Sequence, residues 1–242
     1  MGTKITPYKQ KDISKKEQVA TMFDAIASRY DFLNHFLSLG IDIIWRNRAI
    51  KAIKKSKPKI ILDIATGTGD LAISANKLKP NKVIGVDISK NMLNVGRNKI
   101  SKKGLSNLID MQYGDCENLN FEENYFDAIT AGFGVRNFEN LNKGLSELYR
   151  VLKKEGQIVI LEPSEPKHFP FKQLYLLYFK IVLPLIGKLF SKDQSAYTYL
   201  PDSVAAFPSG QKMLDKLKEV GFKNTKHTPL TFGIAAMYTA KK

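Results

Sequence analysis

The chain has 242 residues, 43% of them hydrophobic, enough to bury the core of one α/β domain. Its single cysteine, Cys116, excludes an internal disulfide framework, and the start MGTKITPYKQK lacks the apolar stretch of a secretory signal, so a reducing, cytoplasmic setting is expected. The net charge of +15 sits at the ends: residues 1–60 carry 13 basic against 5 acidic side chains, residues 150–242 carry 15 against 7, and the middle carries 10 against 11. Basic flanks suit either nucleic acid or an anionic membrane. The basic residues are mostly lysine, and the aromatics of the C-terminal half lie among aliphatics, which argues against a nucleic-acid partner.

In chain order, Val19, Met22, Phe23, Ile26 and Tyr30 recur at helical spacing and predict a helix over Lys15–Leu37. Strands follow at Ile60–Ile64, Val83–Asp87, Leu108–Tyr113, Phe126–Ala131 and Gln157–Glu162, separated by helix-like Leu71–Lys79, Lys90–Lys102 and Asn140–Leu152. This alternation is that of a parallel sheet covered on both faces, a doubly wound α/β fold. The rhythm stops at EPSEPKHFPF, and a long apolar segment, Phe171–Phe190, comes next. Ser209 is placed as the N-cap of a last helix with Met213, Leu214, Leu217 and Val220 on its apolar stripe and Gly221 at its end. Phe222–His227 and Phe232–Thr239 then predict a terminal hairpin turning near Pro229, which completes a mostly parallel seven-stranded sheet. The whole reads as one domain over 1–242, with an N-terminal helical cap (1–59), a cofactor-binding core (60–162), a substrate lid (163–208) and a final helix with terminal strands (209–242).

The stretch LDIATGTGD presents Gly67, Gly69 and Ala72 at the G-x-G-x-x-G/A spacing, and Asp87 closes the second strand about 20 residues on, so a dinucleotide remains open on these residues alone. Three features favour S-adenosylmethionine. Asp63 ends the first strand with a carboxylate suited to a ligand that carries ammonium and sulfonium charge. Asp115 and the adjacent Cys116 N–H follow the third strand, where they can meet an adenine edge. The fourth strand leads directly into GFGVRN at the carboxyl end of the sheet, where ligands bind in such folds.

With these residues in place the chain resembles the demethylmenaquinone and ubiquinone-pathway C-methyltransferase family from about Lys15 to the C-terminus. The resemblance is carried by MFDAIASRYDFLNHFLSLGIDIIW, LDIATGTGD, GFGVRN, YRVLKKEGQIVILEPS and YTYLPDSVAAFP. Lys154-Glu155 departs from a usual Pro-Gly, Gly132 from a frequent serine and Asp42 from a common histidine. The resemblance implies that Thr68, Asp87, Asp115 and Cys116 contact S-adenosylmethionine and that a prenylated naphthoquinol is methylated on a ring carbon. It also gives Arg136, acting with a water, and Asn137, orienting substrate, as the catalytic candidates. Tyr30, Asp31 and Asn34 in the first helix and Tyr197 and Tyr199 in the lid are candidate substrate contacts. A methyltransferase for another small hydrophobic substrate, or one that also accepts a ubiquinone-pathway benzoquinol, is the alternative.

His35, His168 and His227 lack metal-ligand spacing, so no metal is expected. Lys172, Lys180, Lys188 and Pro184 interrupt the apolar Phe171–Phe190 segment, which reads as a membrane-surface lid rather than a bilayer span, with a buried helix as the alternative. A transient peripheral contact at the inner membrane face follows from that reading, and a homodimer is left open.

Overall fold

The computed structural model describes residues 5–8, 12–182 and 195–242, excluding the side chains of Phe179, Val182 and Tyr197. Parts of the proposed lid, including Pro184 and Lys188, and the Tyr197 side chain therefore lie outside the described residues. The predicted N-terminal helix is divided: α1 (Lys15–Ile26) and α2 (Tyr30–Leu37) flank a 3-10 turn at Ala27–Arg29. Ser14 caps α1 by accepting from the Glu17 N–H while the Glu17 carboxylate bonds back to Ser14. Then come α3 (Ile41–Ala52), β1 (Ile60–Ile64), α4 (Asp70–Ala75), β2 (Lys82–Asp87), α5 (Lys90–Lys102), β3 (Ile109–Tyr113), β4 (Phe126–Gly132), α6 (Leu141–Val151) and β5 (Leu152–Pro163). The C-terminal part holds α7 (Phe171–Leu177), a π-helical turn Tyr178–Val182, α8 (Ser195–Ala206), α9 (Gln211–Val220), β6 (Lys223–Leu230) and β7 (Ala235–Lys241).

The seven strands form one sheet in the order β3-β2-β1-β4-β5-β7-β6, parallel except for β7, which runs antiparallel to both neighbours. Strand side chains alternate between two faces, and both faces are covered. In β1, Leu62 and Ile64 enter the core beneath α6 and α9, while Ile61 enters the core on the opposite face with Ala49, Ile50, Leu71 and Leu93. The apolar runs noted in the sequence are these doubly buried strands. Their common direction brings the ends of β1, β2, β3 and β4 to one side of the sheet.

Two boundaries differ from expectation for reasons of backbone chemistry. Pro229 lies within β6, opposite Ala236, and the hairpin turns at Thr231–Gly233. β6 is an edge strand, where a residue lacking an N–H is tolerated. Residue Gly210, not Ser209, stands at the N-cap of α9, with φ 63° and no side-chain cap bond, while Gly221 ends the helix in the left-handed region as predicted.

At the Lys154-Glu155 turn, Glu155 takes φ 62° where glycine would be unstrained. Its exposed side chain pairs with Lys241 at 3.5 Å, an ion pair of small value. Glu155→Gly should therefore raise stability by roughly 0.5–1 kcal/mol, measured as a higher urea midpoint with unchanged m-value.

Candidate functional site

A cleft of about 660 Å³ opens at the carboxyl ends of the first four strands. Its floor is made by Ala65 and Gly67 after β1, Asp87 and Ile88 at β2, Gly114, Asp115 and Cys116 after β3, and Gly132 to Gly134 and Asn137 after β4. Lys16, Val19 and Phe23 of α1 and Tyr30 of α2 complete it from above. Gly67 at φ 55° lets the loop turn here without a side chain. Gly134 is required by close approach, since a Cβ there would lie 2.3 Å from that of Ala65, so the loops after β1 and β4 touch.

Asp87 accepts from the Gly67 N–H and from the Ser89 N–H, both at 2.8 Å. Burial pushes its carboxyl up to about 6, opposed by these N–H bonds and aided by nearby Asp24. It faces the cleft with its charge held by backbone donors, the geometry for accepting two ribose hydroxyls. Asp115 receives the Lys16 ammonium at 2.5 Å and the Glu117 N–H at 2.9 Å, so its carboxylate reaches the cleft already paired. Beside it, burial raises the Cys116 thiol well above its ordinary range and keeps it neutral. Asn137, 8% exposed, lines the cleft with an Oδ1 that has no hydrogen-bond partner among the described residues. A buried polar atom without a protein partner leaves an acceptor open to a water or a ligand.

Four of the expected ligand contacts, Asp63, Thr68, Asp31 and Gly69, stand away from this cleft. Asp63 points inward: it is 1% exposed and its two oxygens accept from Thr66 and Thr130 hydroxyls at 2.5 Å each. It shapes the glycine loop instead of lining the cleft. Thr68 is also turned away; its hydroxyl bonds to Asp31, and Lys99 joins Asp31 at 2.6 Å, Asp70 at 2.6 Å and Thr68 at 3.1 Å. Thr68 and Asp31 thus fasten α2 to the glycine loop and α5, and neither lines a ligand space. Gly69, with φ 80°, stands at the N-cap of α4 beneath the loop and packs toward Met111 and Ile100.

A second, apolar pocket of about 1770 Å³ opens beside the first, bounded by α2, α3, α7 and α8. The two meet at Phe23, Tyr30 and Phe133, which line both. Tyr30, raised by burial, shares a side-chain hydrogen bond with Asn34, another wall residue. Arg136 lines this pocket, not the cofactor cleft, whereas Asn137 does the reverse, because the 3-10 turn Val135–Asn137 sends successive side chains in different directions. Asn137, expected at the substrate, thus lines the first cleft instead.

Glu162, which sequence reading marked only as a strand end, proves central. It is fully buried, its Oε2 lies 3.0 Å from Arg136 Nη1, and its Oε1 accepts the Arg136 N–H at 3.2 Å. Arg136 also donates through Nε to Ser203 of α8 at 3.3 Å and through Nη1 to the Phe133 carbonyl. Burial raises the Glu162 carboxyl, and Arg136 opposes that rise. The signal available in the sequence was an acid at the carboxyl end of a central strand. Tyr199 lines the same pocket, with a buried hydroxyl that has no hydrogen-bond partner among the described residues and is pushed up to about 12 by burial. Asp42 forms part of the far wall. Burial would raise it, but Ser38 at 2.6 Å, Arg46 and His35 at 2.8 Å outweigh that effect and lower it.

The sheet order, the strand-end carboxylate, the glycine turn and the roofed cleft define a class I methyltransferase, with S-adenosylmethionine as methyl donor. Residues 11–242 match the model of the ubiE/COQ5 methyltransferase family. The chain is 55% identical over 240 residues to a demethylmenaquinone methyltransferase of Bacteroides fragilis, covering 99% of this chain and 98% of that one. It is 49% identical to a ubiquinone/menaquinone biosynthesis C-methyltransferase of Geotalea daltonii, covering 94% and 97%. Among solved structures, a putative S-adenosyl-L-methionine-dependent methyltransferase of Methanococcus maripaludis shares the fold with TM-score 0.61 at 20% identity, over 97% and 96% of the two chains. The [4+2]-cyclase SpnF shares it with TM-score 0.64 at 16% identity, over 94% and 96%. The chain therefore belongs to the ubiE/COQ5 methyltransferase family.

Because burial lifts the Asp63 and Asp87 carboxyls to about 6, the folded protein takes up protons that the unfolded chain does not as pH falls from about 7 to about 4. These two groups should stabilise the cofactor-free protein on mild acidification, by on the order of 1 kcal/mol or more. The lowered carboxyls of Asp42, Asp127 and Glu147 reverse the trend at lower pH. Urea midpoints should peak near pH 5, and cofactor affinity should weaken below pH 6 as Asp87 loses its charge. Asp87→Asn should flatten that affinity profile, as read by calorimetric titration.

Proposed function

We propose that the protein methylates a ring carbon of demethylmenaquinol to give menaquinol. The observation that carries this reading is the junction of a polar cofactor cleft with a large apolar pocket across Phe23, Tyr30 and Phe133, with a buried guanidinium in the pocket wall. S-adenosylmethionine supplies an electrophilic methyl group. Asp87 would take its ribose, Asp115 and Cys116 the adenine edge, and Asn137 Oδ1 a donor on the nucleoside or amino-acid portion, which answers its missing partner.

The quinol needs to lose a hydroxyl proton as its neighbouring carbon attacks, so negative charge grows on that oxygen. A guanidinium stays protonated and cannot serve as the base. Arg136, 8% exposed at the side chain and held by Glu162, Ser203 and the Phe133 carbonyl, instead offers fixed positive charge to the developing oxyanion. The hydroxyl proton leaves to water, the S–CH3 bond breaks to release S-adenosylhomocysteine, and the ring C–H proton then passes to the oxygen to restore the aromatic quinol. The unpartnered Tyr199 hydroxyl, in the same pocket wall, would donate to a quinol oxygen. Phe23, Tyr30 and Phe133 keep the aromatic ring against the aperture, and the surrounding aliphatic wall holds the start of the prenyl tail. The relatives bearing the combined ubiquinone/menaquinone name favour a second reading, in which a benzoquinol also enters the same pocket.

Turnover should occur with the reduced naphthoquinol and be absent with the oxidised quinone, whose ring carbon is not nucleophilic. Loss of this difference in single-turnover methyl transfer would overturn the reading. Arg136→Lys, which keeps a cation against Glu162 but loses the planar guanidinium, should lower kcat by about tenfold or more with little change in cofactor affinity, whereas Asn137→Ala should weaken cofactor binding in calorimetric titration. Tyr199→Phe removes a hydroxyl whose burial is uncompensated, so stability should hold or rise by up to about 1 kcal/mol while the quinol KM increases. A fall in stability with unchanged KM would make Tyr199 a core residue only.

A further inference from the structure

Phe133, which borders both ligand spaces, is held by its main chain at both ends. Its N–H donates to the Leu161 carbonyl at 2.7 Å, its carbonyl accepts from Arg136 Nη1, and it takes φ 63°, a conformation that costs free energy for a bulky residue. These bonds fix the backbone and leave the ring free to turn about its own side-chain bonds. The ring is met by the indole of Trp45, with centroids 6.0 Å apart and planes at 55°. Trp45 belongs to α3, is 8% exposed and also lines the apolar pocket.

The indole is itself oriented from the far end of the chain. Trp45 Nε1 donates to Thr231 Oγ1 at 2.8 Å, across 186 positions of sequence. Thr231 stands in the turn between β6 and β7 with φ 43°, where a β-branched residue is an outlier. Glycine or asparagine would enter this left-handed region at lower cost, so the turn by itself does not call for threonine. The turn is tied to the end of β5, since Ser164 Oγ donates to the Gly233 carbonyl at 2.7 Å and the Ser164 N–H to the Ile234 carbonyl at 2.9 Å. Ser164 follows Glu162 by two residues. One strand end therefore holds Arg136 through Glu162, and through Ser164 the turn that orients Trp45. The two strained residues, Phe133 and Thr231, are the ends of a contact chain that passes through Trp45, and all three line the apolar pocket. Packing accounts for the burial of the indole but not for a hydroxyl acceptor kept at a strained position.

We infer that Trp45, oriented by Thr231, is a positioning residue for methyl transfer: it holds the Phe133 ring at the aperture, so that the reacting carbon of a planar quinol lies opposite the methyl group. The inference rests on the quinol reading above. Trp45 is the only tryptophan of the sequence, so its fluorescence reports on this contact. A tail-less naphthoquinol added with S-adenosylhomocysteine should quench it. Thr231→Val keeps the shape of the side chain and loses the acceptor. It should shift the Trp45 emission and lower kcat about tenfold or more, while quinol KM and cofactor affinity stay within about twofold. Thr231→Ser, which keeps the hydroxyl, should recover most of the rate. In a Phe133→Leu background the valine change should cost little further, because Thr231 acts only through that ring. A wild-type kcat in the valine variant, an equal loss in the serine variant, full additivity with Phe133→Leu, or an indole that a turned-over quinol does not quench would overturn the inference. Should Thr231→Val not fold, Trp45→Phe, which leaves no donor unpaired, reads the same division between kcat and KM. No turnover by the wild type on the naphthoquinol would instead strike at the substrate reading, and the same variants are then compared on a benzoquinol.

Discussion

Glu162 has no access to water, and a carboxylate so placed is tolerated only where its charge is met in full. It accepts the backbone N–H of Arg136 with one oxygen and the guanidinium with the other, fixing the turn after β4 in both main chain and side chain. Asn137, the next residue, is thereby committed to the cofactor cleft, and Ser203 brings α8 to the same guanidinium. One buried ion pair thus sets the relation between the two ligand spaces. Removing either partner would leave the other buried and uncompensated, an imbalance of several kcal/mol. This strong local constraint suits a reaction in which a carbon nucleophile and a methyl group must be aligned to within a fraction of an ångström.

The roof of the cofactor cleft is held differently. Lys15 donates to the carbonyls of Arg136 and Phe138, Lys16 meets Asp115, and Asp24 accepts from Ser89 and Asn91. Asp31 joins Lys99 and Thr68 one turn further on. These contacts are partly open to solvent, where each is worth roughly 0–1 kcal/mol. Their sum positions α1 and α2, and none alone resists opening. The turn after β4 is therefore rigid and the cover of the cleft detachable, which would permit exchange of an enclosed cofactor.

How much of this could be read from the chain depends on the range of the interaction concerned. Strand ends, the glycine turn and Asp87 follow from short periodicities and a fixed spacing, and the sheet carries them where expected. The bonds of Thr68 and Asp31 to each other and to Lys99 of α5 leave no trace in the sequence, since Asp31 and Lys99 are 68 positions apart and no local pattern encodes their contact. Asp63 reads as a ligand-facing acid until Thr130, on a neighbouring strand, is seen to close over it. The division of roles between Arg136 and Asn137 depends on a three-residue 3-10 turn too short to leave a periodic trace. The break between α1 and α2 is of the same kind, since Phe23, Ile26 and Tyr30 keep helical spacing across it.

The position of β6 at the end of the sheet has a consequence for the protein as a colloid. An unpaired strand presents a row of free N–H and C=O groups that can recruit a second sheet and seed ordered aggregates. On β6 that row is interrupted by Pro229, which has no N–H to offer, and by the exposed cations Lys223 and Lys226. A register shift between Lys223 and Lys226 further spoils its regularity as a template. The proline that misdirects a reader of the sequence toward a turn thus acts as a gatekeeper, keeping an enzyme with an apolar mouth from also growing at its edge.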